Sequence, residues 1–369
     1  MRRLIYFSPI PWGGLYQRPQ HCAKLLARHF RLLWVEPRTR SHPAPPAARK
    51  NMDFLALPVF PSNAKSPAIR RLARLGEALP PLPALLARRQ ASKLRRALGD
   101  GDPILFFGHP EMAPLAEIFP RAPLVYDHMD DVLGFGDPPP SLRRNLELLV
   151  RRAALVNATS SRLAADMELT GARRVMRIGN GVEWARFAEG ASLPEPAALA
   201  TLDRPRVLYL GSVAEWFDFD LLFQVARSLR QMSFPVVGPL RPELEHRRGE
   251  APPNVHFLGA RPYSEVPAWM SHSDLAVIPF VRNALTGAVD PVKLHEYLAS
   301  GLPVVATPFS PELRAHGGAV RLAESPVEFA EALSALQAEM PDPEHLRRLA
   351  AARDWERILA PLVAELLKL

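Results

Sequence analysis

The sequence predicts an α/β protein built as two Rossmann-like, doubly wound halves. Three observations carry that expectation. Short apolar runs recur along the whole chain and alternate with helical stretches, which is the pattern of parallel strands joined by crossover helices. The chain has 369 residues, more than a single hydrophobic core usually organises. Near the middle, residues 187–204, FAEGASLPEPAALATLDR, have little periodicity and hold two prolines, as a linker would. The expected division is a first domain over 1–186, the linker 187–204, a second domain over 205–345 and a closing helix over 346–369.

In the first half, Leu4–Phe7 reads as a strand, followed by a loop carrying Trp12, Gly13 and Gly14 and by a helix from Arg18 to His29. A loop between a strand and a helix lies where parallel sheets place their ligands. Gly13 and Gly14 suit either close approach of backbone to a substrate or a tight turn with positive φ. Arg18 suits an anionic group or local carbonyls. Strands follow at Leu32–Val35, near Phe54–Leu57, and at Ile104–Phe107, which runs into Gly108-His109-Pro110. His109, at a strand's carboxyl end, is either a substrate contact or a structural histidine. Leu124–Tyr126 is the next strand, and Asp127-His128-Met129-Asp130-Asp131 follows at once. Three clustered carboxylates are costly unless something pairs or uses them. They fit a general base, a metal site that includes His128, or caps and loop hydrogen bonds; the base ranks above the metal. Ser141–Ala153 and Ser160–Leu169 read as helices, with strands at Leu155–Ala158 and Val175–Ile178 and a turn at Gly179–Glu183.

The second half opens with a strand, Val207–Leu210, then Gly211-Ser212 and a helix over Phe219–Arg230. A strand, a glycine loop and a helix form a phosphate-binding arrangement, although neither the dinucleotide fingerprint nor the P-loop spacing is present. Strands follow at Pro235–Val237 and Val255–Leu258, then a helix over Tyr263–Ser271. The stretch Asp274–Thr307 then reads as strand, loop, helix and strand. Asp290-Pro291 is the expected helix start, with Asp as the N-cap, and Gly301 its stop. Lys293 and Glu296 lie three apart and share a helix face. A cation and a carboxylate beside a helix N-terminus suit the diphosphate and the ribose hydroxyls of a sugar nucleotide. Arg282 and Thr286, in the preceding loop, are further donor-site candidates. The final helix is expected to start near Pro343 and to break near Pro361.

Composition narrows the function. The one cysteine, Cys22, excludes an intramolecular disulfide and a cysteine-rich metal site and fits a reducing compartment. No apolar run has transmembrane length, and the prolines after Leu4–Phe7 cut that run too early for a signal peptide. Charge is uneven: residues 1–200 carry 29 Lys+Arg and 17 Asp+Glu, a balance of +12, and residues 201–369 carry 17 and 21, a balance of −4, together giving the net +8. Arg70, Arg71, Arg74, Arg88, Arg89, Lys93, Arg95 and Arg96 lie in two expected helices broken at Pro80-Pro81-Leu82-Pro83. Such helices meet an anionic membrane or simply present a solvated basic face. Without interleaved aromatics they do not suit nucleic acid.

The segment PVKLHEYLASGLPVVAT, together with WGGLYQRPQHCAKLLA, YDHMDD and NGVEWARF, resembles the GT-B glycosyltransferases, and in particular the bacterial exopolysaccharide and teichuronic-acid-type transferases, including the xanthan glucuronosyltransferase type. The resemblance spans most of the chain and leaves residues 41–100 unmatched. It implies a donor nucleotide on the second domain, with Lys293 at the diphosphate, Glu296 at the ribose, and Gly211 and Ser212 approaching the diphosphate. It also implies an aspartate base on the first domain, Asp130 first and Asp127 second, with no metal and no cofactor needed. Trp12, Gly13, Gly14, Arg18 and His109 are then acceptor-site candidates. One departure bears on stereochemistry. The retaining family 4 type carries Glu-x7-Glu, and if Glu296 is the second glutamate, the first position is Ala288. That favours inversion.

The expected activity is therefore inverting, metal-independent transfer of a hexosyl or glucuronosyl group from a UDP-sugar. The acceptor is lipid-linked or a polysaccharide, and the expected location is cytoplasmic, at the anionic inner-membrane surface. The rivals are a nucleotide-sugar epimerase of the same fold and a non-catalytic partner in a polysaccharide assembly complex.

Overall fold

The computed structural model describes residues 1–38, 47–57, 81–98, 102–136 and 138–369, with side chains from residue 90 onward in the helix at 81–98. The chain forms two compact units, Met1–Gly179 with Leu359–Leu369, and Asn180–Ile358.

The first unit holds strands β1 (Arg3–Phe7), β2 (Arg31–Pro37), β3 (Met52–Leu57), β4 (Ile104–Phe107), β5 (Leu124–His128), β6 (Leu155–Ala158) and β7 (Val175–Arg177). Its helices are α1 (Arg18–Leu26), α2 (Pro81–Leu98), α3 (Pro140–Arg152) and α4 (Ser161–Leu169). The sheet order is β3-β2-β1-β4-β5-β6-β7 and every pairing is parallel. The strands are short, and β1 and β4–β6 are almost wholly buried because helices cover both faces. Ser160 caps α4 by accepting from the Leu163 N–H at 3.2 Å, as its position predicts. Helix α2 begins at Pro81 and keeps Pro83 in its first turn, where a missing N–H costs nothing. The other half of the basic stretch, with Arg70, Arg71 and Arg74, lies outside the described residues, as do the side chains of Arg88 and Arg89.

The second unit repeats the plan. After α5 (Trp184–Ala188) and α6 (Ala197–Ala200) come β8 (Val207–Leu210), α7 (Phe219–Ser228), β9 (Phe234–Val237), β10 (Val255–Gly259), α8 (Val266–Ser271) and β11 (Leu275–Ile278). They are followed by α9 (Val292–Ala299), β12 (Val304–Ala306), β13 (Val320–Leu322), α10 (Pro326–Ala338), α11 (Pro343–Ala351) and α12 (Trp355–Lys368). The parallel sheet runs β10-β9-β8-β11-β12-β13. In each unit the strand order reverses beside the first strand, between β1 and β4 and between β8 and β11. That reversal opens a crevice at the carboxyl ends of the strands, the usual ligand position of such sheets.

Three sequence expectations change here. Residues 187–204 are not a linker: Phe187 and Leu199 are fully buried in the second core, and the division falls at Gly179–Asn180. The closing helix does not break at Pro361. The interruption is at 352–354, where Arg353 O accepts from Val182 N at 3.0 Å and Val182 O accepts from Trp355 N at 3.1 Å. Pro361 lies inside α12, and Leu359 onward groups with the first unit. Finally, β13 and α10 were not anticipated, although Ser325 caps α10 through the Glu328 N–H at 3.2 Å and Pro326 sits at its first position.

Candidate active site

The carboxyl end of β8 and the start of α9 build a concentrated polar site in the second unit. Gly211 follows β8 with φ +141°, and a Cβ there would lie 2.6 Å from Lys293 Nζ. Gly238, after β9, has φ +149°, and a Cβ there would lie 2.0 Å from Gly211 O. Both positions therefore require glycine, for conformation and for space. The close approach brings the Lys293 amine against the Gly211 backbone. The amine donates to Tyr209 Oη at 2.9 Å and lies 4.1 Å and 4.7 Å from the ring centres of Tyr209 and Phe280. Among the described residues no carboxylate comes within ion-pair distance of it. Burial pulls the amine down to about 7, and Glu296 pulls the other way. The Ser212 hydroxyl and backbone N–H have no partner among the described residues, and α9 starts without a side-chain cap. Free donors beside a glycine and a lysine amine without a carboxylate partner among the described residues are groups that suit an anion.

Glu296 lies one turn further along α9 and is 7 % exposed. Burial raises its carboxyl to about 7, against the Tyr263 hydroxyl, 3.4 Å from Oε1, and the Lys293 charge. A carboxyl held this way accepts hydroxyl donors when ionised. Lys293, Ser212, Gly211 and Glu296 are thus brought together as the sequence predicted. Thr286 and Arg282 are not. Thr286 is buried, donates to Val281 O at 2.6 Å and accepts from Asn283 N at 3.1 Å, so it closes its own loop. Arg282 is exposed and pairs with Glu324 at 2.9 Å. Asp290 is not the N-cap either; Pro291 holds that position. Asp290 is buried, accepts from Asn180 N at 2.6 Å and stands 3.2 Å from His295 Nε2. The expectation missed Tyr209 and Tyr297. The latter's hydroxyl accepts from Leu210 N at 2.7 Å, at the end of β8. Both sit in apolar stretches and read from sequence as core fillers.

In the first unit, the residues after β5 separate into different roles. Asp127 is fully buried and takes a two-pronged ion pair from Arg18, Nε to Oδ2 at 2.9 Å and Nη2 to Oδ1 at 3.0 Å. Asn157 Nδ2 adds a third contact to Oδ1 at 2.7 Å, and Arg18 Nη1 donates to Gly179 O at 2.7 Å. Asp127 is therefore a poor base or metal ligand, and Arg18 is not an available anion receptor. Asp131 Oδ1 accepts from Gly134 N at 3.1 Å, the loop role weighed for these aspartates. Asp130 differs: its carboxyl has no hydrogen-bond or ion-pair partner among the described residues, and it is exposed. Crowding by surrounding protein still pushes it up to about 7; Arg18 opposes this, and Asp127 and Asp131 add to it. Asp130 is exposed and can therefore be reached.

The acceptor-site candidates fare unevenly. Trp12 is 9 % exposed and packs edge-on against Trp34 and Phe54, with ring centres 5.0 and 5.2 Å away. Its backbone N–H donates to the buried Glu36 at 2.7 Å. It is a core residue, which corrects the expectation of a substrate contact. Gly13 is exposed, and Gly14 N donates to Pro11 O at 3.0 Å, so the loop makes a tight turn, although neither glycine adopts the positive φ expected of it. His109 stands at the carboxyl end of β4, and its Nδ1 accepts from Glu111 N at 3.2 Å. The ring is therefore neutral with its proton on Nε2, in keeping with burial, which lowers it to about 4.

The fold defines a class, the GT-B architecture of two Rossmann-like units. Residues 204–339 match the family model for glycosyl transferases group 1. Over 164 residues the chain is 29% identical to the teichuronic acid biosynthesis glycosyltransferase TuaH of Bacillus subtilis, a match spanning 43% of this chain and 41% of that protein. The whole chain superposes on Anabaena HepE solved with UDP and glucose, at a TM-score of 0.74 and 16% identity over 100% of both chains. It also superposes on the sucrose-phosphate synthase of Thermosynechococcus elongatus, at 0.72 and 15% identity over 100% of this chain and 98% of that one. The fold is therefore that of the GT-B glycosyltransferases, and residues 204–339 of the second unit are similar to glycosyl transferases group 1. Among the described residues no helix is long and apolar enough to cross a membrane.

Proposed function

We propose that the protein transfers a sugar from a UDP-sugar to a saccharide or lipid-linked acceptor in cell-envelope polysaccharide synthesis, with inversion and without a metal. The observation that carries this reading is the Lys293 amine, set against Gly211 beside the Ser212 donors, with no carboxylate or Ser212 partner among the described residues. These groups suit a diphosphate. Glu296, one turn along the same helix, suits the ribose hydroxyls. HepE, of the same fold, was solved with UDP, and TuaH is named for an envelope polymer; both favour this class of donor and product.

In the proposed reaction Asp130 takes the proton of the acceptor hydroxyl as its oxygen forms a bond to the anomeric carbon. The bond from that carbon to the diphosphate oxygen breaks, and the charge that develops on the diphosphate is met by Lys293 and the N–H donors. Asp130 must be ionised to act. Its raised carboxyl therefore makes transfer fall as pH drops below about 7. The acceptor unit presents Lys93, Arg95 and Arg96 on α2 and Arg143 and Arg144 on α3, all exposed, and these suit an anionic lipid surface. Flotation with anionic liposomes at low salt, lost at high salt, is the expected behaviour; no flotation at low salt removes the membrane from the proposal.

The deciding experiment supplies a panel of UDP-sugars and acceptor glycolipids and compares the intact protein with Asp130→Asn. The variant is expected to bind UDP normally and to lose about a hundred- to ten-thousand-fold in turnover. Near-normal turnover removes Asp130 as the base. Sugar conversion with no acceptor present favours an epimerase instead.

A further inference from the structure

A buried lysine amine is ordinarily neutralised by a carboxylate or left uncharged. Lys293 has no carboxylate within ion-pair distance among the described residues, and burial draws its amine down to about 7, between the charged and the neutral form. Its Nζ is 2.9 Å from Tyr209 Oη, 4.1 Å from the Tyr209 ring centre and 4.7 Å from that of Phe280. An ammonium is attracted to the negative face of an aromatic ring, and a phenol oxygen accepts one of its protons. The same phenol donates its own proton to Ser212 O at 2.7 Å, and Trp216 Nε1 donates to that carbonyl at 3.1 Å. The Ser212 carbonyl is thus held by two donors, while the Ser212 N–H and hydroxyl have no partner among the described residues. Tyr209 is fully buried, and burial raises its phenol well above the ordinary value, so it stays neutral and keeps both hydrogen bonds.

We propose that Tyr209 is a positioning residue for anion binding in the second unit: it holds the Lys293 amine without neutralising it and locks the Gly211–Ser212 loop beside it. Phe280 supplies the second aromatic wall. This rests on the reading of Lys293 as the diphosphate-binding group. A carboxylate in place of Tyr209 would hold the lysine equally well but would cancel the charge that the diphosphate needs. The aromatic faces and the phenol oxygen orient the amine and leave its net charge available. The inference deepens the donor-site assignment by explaining why a tyrosine stands inside an otherwise aliphatic strand, Val207-Leu208-Tyr209-Leu210.

The titratable groups acting on the amine are Tyr209 from β8 and Glu296 from α9 itself. Tyr263, Glu183 and Arg186 act on Glu296. The amine is already drawn down to about 7 by burial. Removing its hydroxyl acceptor must lower it further, because the charged form loses a partner.

The test uses Tyr209→Phe, which keeps the ring, and Phe280→Leu, which removes the other wall, in the full chain. In the free protein, the lysine amines are followed by NMR across pH, with Lys293→Ala assigning the signal. The Lys293 signal is expected to titrate below the other lysines in the intact protein and lower still in Tyr209→Phe. In parallel, UDP affinity is measured across pH. Tyr209→Phe is expected to bind UDP about ten-fold more weakly, with its loss of affinity on the alkaline side beginning at lower pH. A purely structural role would lower the melting temperature without moving that pH limb. An unchanged lysine titration and an unchanged pH limb in Tyr209→Phe overturn the inference. Should Tyr209→Phe fail to fold, an unchanged Lys293 titration in Phe280→Leu overturns the aromatic hold and a lowered one supports it. Should the intact protein not bind UDP, the donor assignment falls, while the nucleotide-free titration still decides the role of Tyr209.

Discussion

Each unit places a cation close to the carboxyl ends of its strands, and the two cations have opposite fates. Arg18 meets Asp127 through two hydrogen bonds, with both side chains almost wholly buried. Asn157 and Gly179 O occupy further positions around the pair. Lys293 meets a phenol and two aromatic rings. The first arrangement satisfies the charge and fixes the fold; the second holds the charge and leaves it unanswered. Location at a strand end therefore does not make a basic residue a ligand group. The partners decide, and a planar guanidinium locked to a carboxylate is the least available of cations. The contrast extends to the aspartates. Asp127 and Asp130 are three residues apart, but one is fully buried and bonded and the other exposed without a partner.

The sharpest way to break this contrast is to remove the buried partner. Asp127→Ala leaves the Arg18 charge unpaired in the interior and is expected to destabilise the first unit by about 3–5 kcal/mol. Chemical denaturation checks this, and UDP affinity measured on the fraction still folded should be unchanged. A variant of normal stability would mean that Arg18 is not committed to Asp127 and remains open to substrate. The Asp130→Asn change tests the other side. It removes a charge that the surroundings disfavour, so stability should not fall while turnover collapses.

Much of this was legible in the chain. The alternation of apolar runs and helices gave the parallel sheets, because buried parallel strands are continuous apolar runs. The spacing of Lys293 and Glu296 on one helix was legible, and so was the glycine after β8 that Lys293 approaches. What was not legible depends on partners distant in sequence. Arg18 and Asp127 are 109 residues apart, and nothing local marks either as paired. Trp12 looked like a loop aromatic because Trp34 and Phe54, which bury it, come from other strands. Asp290-Pro291 had the pattern of a helix start, but the Asp290 carboxylate is taken by Asn180 and His295, so the cap position falls to Pro291. Tyr209 was hidden by its strand, since only its hydroxyl distinguishes it from a core residue. Helix α10, by contrast, carries its signal locally: Ser325-Pro326 and Glu328 form a plain start, and Phe329, Leu333 and Leu336 mark its buried face.

The measurement that bears most directly on the central claim is calorimetric titration of UDP into the intact protein and into Lys293→Ala. The structure has the amine set against the Gly211 backbone, with no carboxylate within ion-pair distance among the described residues. The predicted result is clear binding by the intact protein and a loss of about ten- to a hundred-fold in Lys293→Ala, the value of a charge-assisted contact of about 1.5–3 kcal/mol. Equal affinity in the two proteins, or no binding in either, would contradict the assignment of Lys293 to the diphosphate.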